Sequence, residues 1–209
     1  MGPFSDGEDD VHRMMTRVAR MALGVIPILG IGMVVGACTP APNCSNLESK
    51  FADQPAKNMT QTQAEQTVWC LTNDQRVANG LSKLSLNSVL GGTARAHAQA
   101  AVNQQGWPDG ANTHTSPEGT TPTQRIQAAH YCDNPTQWET AENTYWGWGT
   151  PLQTPRTAVN WWMGDPPHRA TILNSALKDL GVGVVVGNPA PGSHPDAAVF
   201  VQDFGTCVH

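Results

Sequence analysis

Asp165 and His168 stand three residues apart in the run Asp165-Pro166-Pro167-His168. One helical turn would bring that carboxylate and that imidazole to the same point. His114 lies in a polar stretch from Gly106 to Thr121, and Glu142 opens an aromatic run that reaches Trp148. Imidazoles and carboxylates serve as acid–base pairs or as ligands of divalent ions such as Zn²⁺. Hydrolysis would also need a nucleophile or an activated water. Ser116, two residues after His114, is the nearby hydroxyl to nominate, and no Gly-x-Ser-x-Gly elbow occurs. The five cysteines include no Cys-x-x-Cys pair, so a zinc finger is excluded.

The elements that must position these residues follow from patterning. Thr62-Gln63-Ala64-Glu65 is a capping-box pattern, and Ala64, Val68, Leu71 and Ala78 then share one helical face, with Gly80 as a stop. A second helix is predicted over Ser88–Gln104, burying Leu90, Ala94, His97, Ala101 and Val102. His97, set among alanines, reads as a packing residue rather than a ligand. Pro122 to Tyr131 reads as a short helix with Ile126 inward, and Glu142 to Trp148 as a strand. Thr154-Pro155 caps and opens a helix through Met163. Two further strands are expected at Gly181–Gly187 and Ala197–Phe204. Trp146, Trp148, Trp161 and Trp162 are expected in the core, with one or two at most lining a cleft. Arg169 reads as structural. The fold class is α+β, with helices on both sides of a small, mostly antiparallel sheet.

Charge and targeting signals narrow the setting. Charged residues make up only 14% of the 209 residues, the net charge is −5, and no Lys/Arg patch exists. Nucleic acid is excluded as a partner on that ground. Arg13, Arg17 and Arg20 precede an uncharged apolar run from Met21 to Ala37, the pattern of a secretory signal peptide. Its end, Val35-Gly36-Ala37-Cys38, resembles the bacterial lipobox, which makes Cys38 the expected lipidation site and the membrane a partner. Met14 and Met15 offer alternative starts behind the acidic Glu8-Asp9-Asp10. Residues 1–37 are thus read as the signal, 38–61 as a flexible tether and 62–209 as the domain. The Asn58-Met59-Thr60 sequon reads as accidental in such a chain. Cys44, Cys70, Cys132 and Cys207 remain, an even number in an exported chain. Of the three possible pairings, Cys70–Cys132 with Cys44–Cys207 is expected.

A series of motifs now carries a resemblance. It comprises Asn73-Asp74-Gln75-Arg76, Gly80-Leu81 with Leu84, Ala94 with His97-Ala98, and Thr113-His114-Thr115-Ser116-Pro117-Glu118-Gly119. It continues through Thr121-Pro122, Arg125-Ile126, Ala141-Glu142-Asn143 and Trp162 with Asp165 to Leu173. Gly181-Val182-Gly183-Val184 and Val201-Gln202-Asp203-Phe204-Gly205 close it. From about residue 66 to 206 the chain is similar to the bacterial branch of the CAP superfamily. That family groups cysteine-rich secretory proteins, antigen 5 and plant pathogenesis-related proteins, and shares the SCP domain. The resemblance implies a three-layer α-β-α sandwich and a cleft holding two histidines and two acidic residues, here His114, Glu142, Asp165 and His168. Bacterial relatives often carry Ser at the position of Asp165, and His130 stands where relatives carry Gly before Tyr131.

By this resemblance the four cleft residues would hold Zn²⁺ or another divalent cation, or form a hydrogen-bonded tetrad without metal. No cofactor is required. The implied function is extracytoplasmic binding of a ligand, a lipid or other small apolar molecule among the choices, by a lipid-anchored envelope protein. No catalysis is assigned. The rival is a metal-dependent or serine-type hydrolase of envelope material, and a third reading is a structural or host-interaction protein.

Overall fold

The structure, a computed structural model, describes residues 41–108 and 110–209. The expected signal peptide and Cys38 lie outside the described residues. The elements run α1 (Cys44–Phe51), a 3₁₀ turn (Ala56–Asn58), α2 (Gln61–Ala78), β1 (Ser85–Leu86), α3 (Ser88–Gln104) and α4 (Pro122–Ala128). They continue with β2 (Gln137–Gly147), α5 (Pro155–Gly164), α6 (Pro166–Ile172), β3 (Asp179–Val186) and β4 (Ala198–Val208).

Short polar caps start most of these helices. Asn43, Thr60, Asn87, Thr121 and Thr154 each accept a hydrogen bond from a backbone N–H of the first turn. The capping box expected at Thr62 and Glu65 sits two residues earlier, on Thr60 and Gln63. Thr60 has the extended backbone that a cap requires, and Gln63 Oε1 closes the box on the Thr60 N–H at 2.9 Å. The helix at Ser88–Gln104 matches the sequence reading at both ends. The strand expected from Glu142 begins at Gln137, because pairing with the long β4 carries it further than its own composition suggests.

The sheet has the order β1-β3-β4-β2, antiparallel except for the short β1–β3 pair. Period-two alternation on β4 supplies two cores. Ala198, Phe200 and Phe204 face one side with Val68, Leu71, Trp162 and Ile172. Val199 and Val201 face the other with Ala94, Ala98, Ala101 and Trp107. Burying each large apolar side chain contributes about 1.5–3 kcal/mol. Thus α3 covers one face, and α2 and α5 cover the other, giving the three layers of an α-β-α sandwich.

Two glycines set how closely the first layer lies. A Cβ on Gly181 would fall 2.0 Å from the Gly91 nitrogen, and one on Gly183 would fall 2.3 Å from the Arg95 nitrogen. Only a strand face without side chains lets the α3 backbone approach this far. On the other side, the Asn73 and Arg76 motif residues are structural. Asn73 exchanges hydrogen bonds with both backbone groups of Leu84. Arg76, 2% exposed, donates to the carbonyls of Ser82, Ile172 and Asn174, and burial lowers its guanidinium from the ordinary value.

Two expectations are corrected here. The bridges are Cys44–Cys70 and Cys132–Cys207, not Cys70–Cys132 and Cys44–Cys207. The reason is topological: α1 lies along α2, whereas Cys132 precedes β2 and faces the end of its partner β4. The stretch from residue 44 is also not a tether. It forms α1 and a 3₁₀ turn, with Leu47, Ala52 and Ala56 buried in the core. Polar composition hid it, because few apolar residues suffice when a disulfide fixes the helix.

His130 adopts a left-handed φ of 58°, the conformation for which glycine is the ordinary residue. The described residues include no helix long and apolar enough to cross a membrane.

Candidate functional site

Strand β2 is an edge of the sheet, and the cleft lies along it. Glu142 points to the α3 side, as its neighbours Thr144 and Trp146 do, while Ala141 and Tyr145 join the opposite core. The loop after α3 brings His114 over Glu142, and His114 Nδ1 lies 2.9 Å from Glu142 Oε1. On the other side Asp165 opens α6. Its carboxylate makes no helix-capping bond and instead accepts from His168 Nδ1, one turn on.

The two imidazoles face each other, with ring centroids 6.3 Å apart and planes inclined by 28°. Carboxylates only accept, so each Nδ1 donates to its carboxylate, and in the neutral ring this leaves the Nε2 lone pair free. The structure thus brings all four tetrad residues to one cleft as two imidazole–carboxylate pairs. Their acidic members stand behind the rings. Among the described residues, the group whose donor atoms all fall within 4.8 Å is Cys44, Glu48 and Cys70. Its sulfurs are joined in a disulfide and present no thiolate.

Arg125 is the residue that sequence reasoning left in a motif without a role. Its Nη2 donates to Glu142 Oε2, and its Nη1 donates to the carbonyls of His114 and Thr120. One guanidinium therefore neutralises the buried Glu142 and fixes the loop that carries His114. The available signal was scarcity: no other Lys or Arg occurs between Arg95 and Arg156, and a buried carboxylate needs a cation. His97 is a packing residue, as the alanine surroundings imply. It is buried, donates from Nε2 to the Thr113 carbonyl at 2.8 Å, and packs its ring 5.6 Å from that of Trp107, the planes tilted by 57°. Burial holds its imidazole below the ordinary value, so it stays neutral beneath the loop.

A second carboxyl lies deeper. Asp203 pairs with Glu142 across β2 and β4, is fully buried, and accepts from Thr93 Oγ1 at 2.6 Å. Burial first, and then the neighbouring Glu142, push its carboxyl well above the usual range.

A cavity of about 300 Å³ opens between the histidines, lined by Trp107, Thr113, Thr144, Tyr145, Trp146 and Trp161. The tryptophans therefore divide differently from expectation. Trp162 is core and donates from Nε1 to the Thr144 carbonyl, Trp146 and Trp161 line the cavity, and Trp148 is exposed. Arg169 is exposed and makes no ion pair among the described residues. Ser116 is buried, and its hydroxyl shares a 2.7 Å bond with Thr120 Oγ1. It makes no bond to His114, so the nominated nucleophile lacks the base that would activate it.

Comparison with known proteins gives the family and the fold. The model of the CAP family, the cysteine-rich secretory protein family, matches residues 70–204. An extracellular SCP-domain protein from Bacillus anthracis str. Ames is similar in structure, at TM-score 0.55 and 20% identity. The match covers 71% of this chain and 41% of that one, so this chain spans about two fifths of that protein's length. An outer surface protein from Borrelia burgdorferi matches at TM-score 0.52 and 22% identity, over 67% of this chain and 90% of that one. No curated protein matches. With well over half of its length matched by the family model, the chain belongs to the cysteine-rich secretory protein (CAP) family.

Proposed function

We propose that this is an exported, lipid-anchored binding protein whose ligand sits between His114 and His168. The observation that supports it is the pair of facing imidazoles, each with Nδ1 held by a carboxylate and Nε2 free. A carboxylate behind the far nitrogen fixes the ring and raises its basicity, which is how histidine ligands are prepared for a metal. The donor set suits Zn²⁺ or a similar divalent ion at modest affinity, with His114 and His168 as ligands and Glu142 and Asp165 orienting them. Two imidazoles supply half of a tetrahedral set and leave the remaining positions to water or a ligand. Such an ion would offer a Lewis-acid contact for an oxygen of the ligand. The placement of this domain outside the cytoplasm, on Cys38, rests on the basic-apolar leader and the lipobox-like run.

Isothermal titration with Zn²⁺ tests the cleft. The parent chain should take up one ion, and the His114→Ala, His168→Ala double variant should take up none while keeping its circular dichroism. Neither side chain is part of the core, so the fold should survive. Binding should weaken as pH falls, because protons compete with the ion for the imidazole lone pairs. Equal binding by parent and double variant would refute this reading.

A further inference from the structure

The apolar share of the cavity wall comes from aromatic rings: among the described residues Trp107, Tyr145, Trp146 and Trp161 line it, and no Leu, Ile or Val does. Trp161 is 46% exposed and leans on Tyr145 at 5.4 Å and on His168 at 5.0 Å, so a large indole surface faces water at the rim. An exposed tryptophan braced by neighbours keeps a flat apolar surface ready for a partner. Polar groups converge beside it. The Thr113 and Thr144 hydroxyls share a 2.7 Å bond and retain spare capacity. The buried Trp107 indole N–H has no partner among the described residues.

The charges nearby are already spent on one another. Glu142 is paired with Arg125 and His114, and Asp165 with His168. The cavity therefore favours a ligand without net charge that has an apolar face and a hydroxyl edge. A pyranose ring has both: its axial C–H groups, slightly positive, rest on the negative face of an indole, and its hydroxyls bond at the rim. Acyl chains and sterols pack better against aliphatic walls, and a quaternary ammonium, which aromatic faces also attract, brings no hydroxyls for the polar edge. We propose, resting on the reading of this cleft as the ligand site, that it binds one ring of a neutral saccharide, stacked on Trp161. The volume, at the small end of ligand cavities of ~300–1,000 Å³, suits a single ring with its neighbours left outside.

Titration of the full chain with chitotetraose and cellotetraose, followed by tryptophan fluorescence, tests this, with decanoate and choline as competitors for the class. At least one saccharide should saturate, and Trp161→Ala should weaken it about tenfold while Trp161→Phe retains part of the affinity. Zn²⁺ uptake by Trp161→Ala should equal that of the parent. No saccharide response, saturation by decanoate or choline instead, or saccharide binding indifferent to Trp161→Ala would each overturn the proposal. If Zn²⁺ still titrates to the histidine pair in those cases, the cleft reading stands and the saccharide alone falls. If the histidine pair also takes up no Zn²⁺, both fall.

Discussion

At the residue scale, the behaviour of Asp203 follows from where its carboxyl is held. An acid whose folded pKa is raised keeps its proton when the unfolded chain has released it. Such a group contributes stability that is fully present below the unfolded value, near 3.9, and is lost as pH rises toward the folded value. Asp203→Asn, which keeps an acceptor for Thr93, should therefore flatten the fall of stability above about pH 4. Urea denaturation of both chains across pH 4 to 8 checks this; parallel curves would mean that Asp203 ionises normally. His97 works in the opposite direction. Its folded value is depressed, so stability falls as pH drops through about 6.5, where the unfolded imidazole takes a proton that the buried one refuses. The sequence marked His97 as packed from its alanine neighbours alone. It gave no sign that Asp203 differs from a surface aspartate, because the opposing Glu142 lies 61 residues away and meets it only through strand pairing.

At the element scale, the contact of α3 with β3 rests on missing side chains. Gly183→Ala places a methyl 2.3 Å from a backbone nitrogen, which no rotamer can relieve. The expected cost is about 1–3 kcal/mol or more, as for other overpacked sites. Gly92, on the exposed side of the same helix, meets nothing within 4 Å. Gly92→Ala should stabilise by about 0.5–1 kcal/mol through helix propensity. Thermal melts of the two variants should move in opposite directions, and a shared direction would show that α3 does not rest on Gly183. Helix limits such as Ser88–Gln104 were legible because caps and periodicity are local. The start of β2 was not, since its first residues hold their conformation by pairing with residues near position 205.

At the scale of the whole molecule, the two bridges tie different parts. Cys44–Cys70 closes 26 residues and clamps α1 to α2, while Cys132–Cys207 closes 75 and locks the entry of β2 to the exit of β4. Loop-closure entropy predicts about 3.5 kcal/mol for the first and about 4.5 kcal/mol for the second. Cys132→Ser with Cys207→Ser should therefore destabilise more than Cys44→Ser with Cys70→Ser, read by denaturant midpoints. Non-reducing peptide mapping should recover Cys44 with Cys70, and recovery of Cys70 with Cys132 would overturn the arrangement of α1.

The sequence by itself determined the cap at Thr154, the limits of the helix at Ser88–Gln104, the even cysteine count and the series of motifs that marks the family. Each of these is written in near neighbours or in a linear series of motifs. The tertiary structure decided which cysteines pair, that residues 44–58 belong to the core, and which tryptophans face the cavity. It also decided that Arg125 pairs with Glu142. The physical reason is the same in each case. These outcomes depend on which segments the fold brings side by side, and residues 17 to 110 positions apart carry no local mark of becoming neighbours.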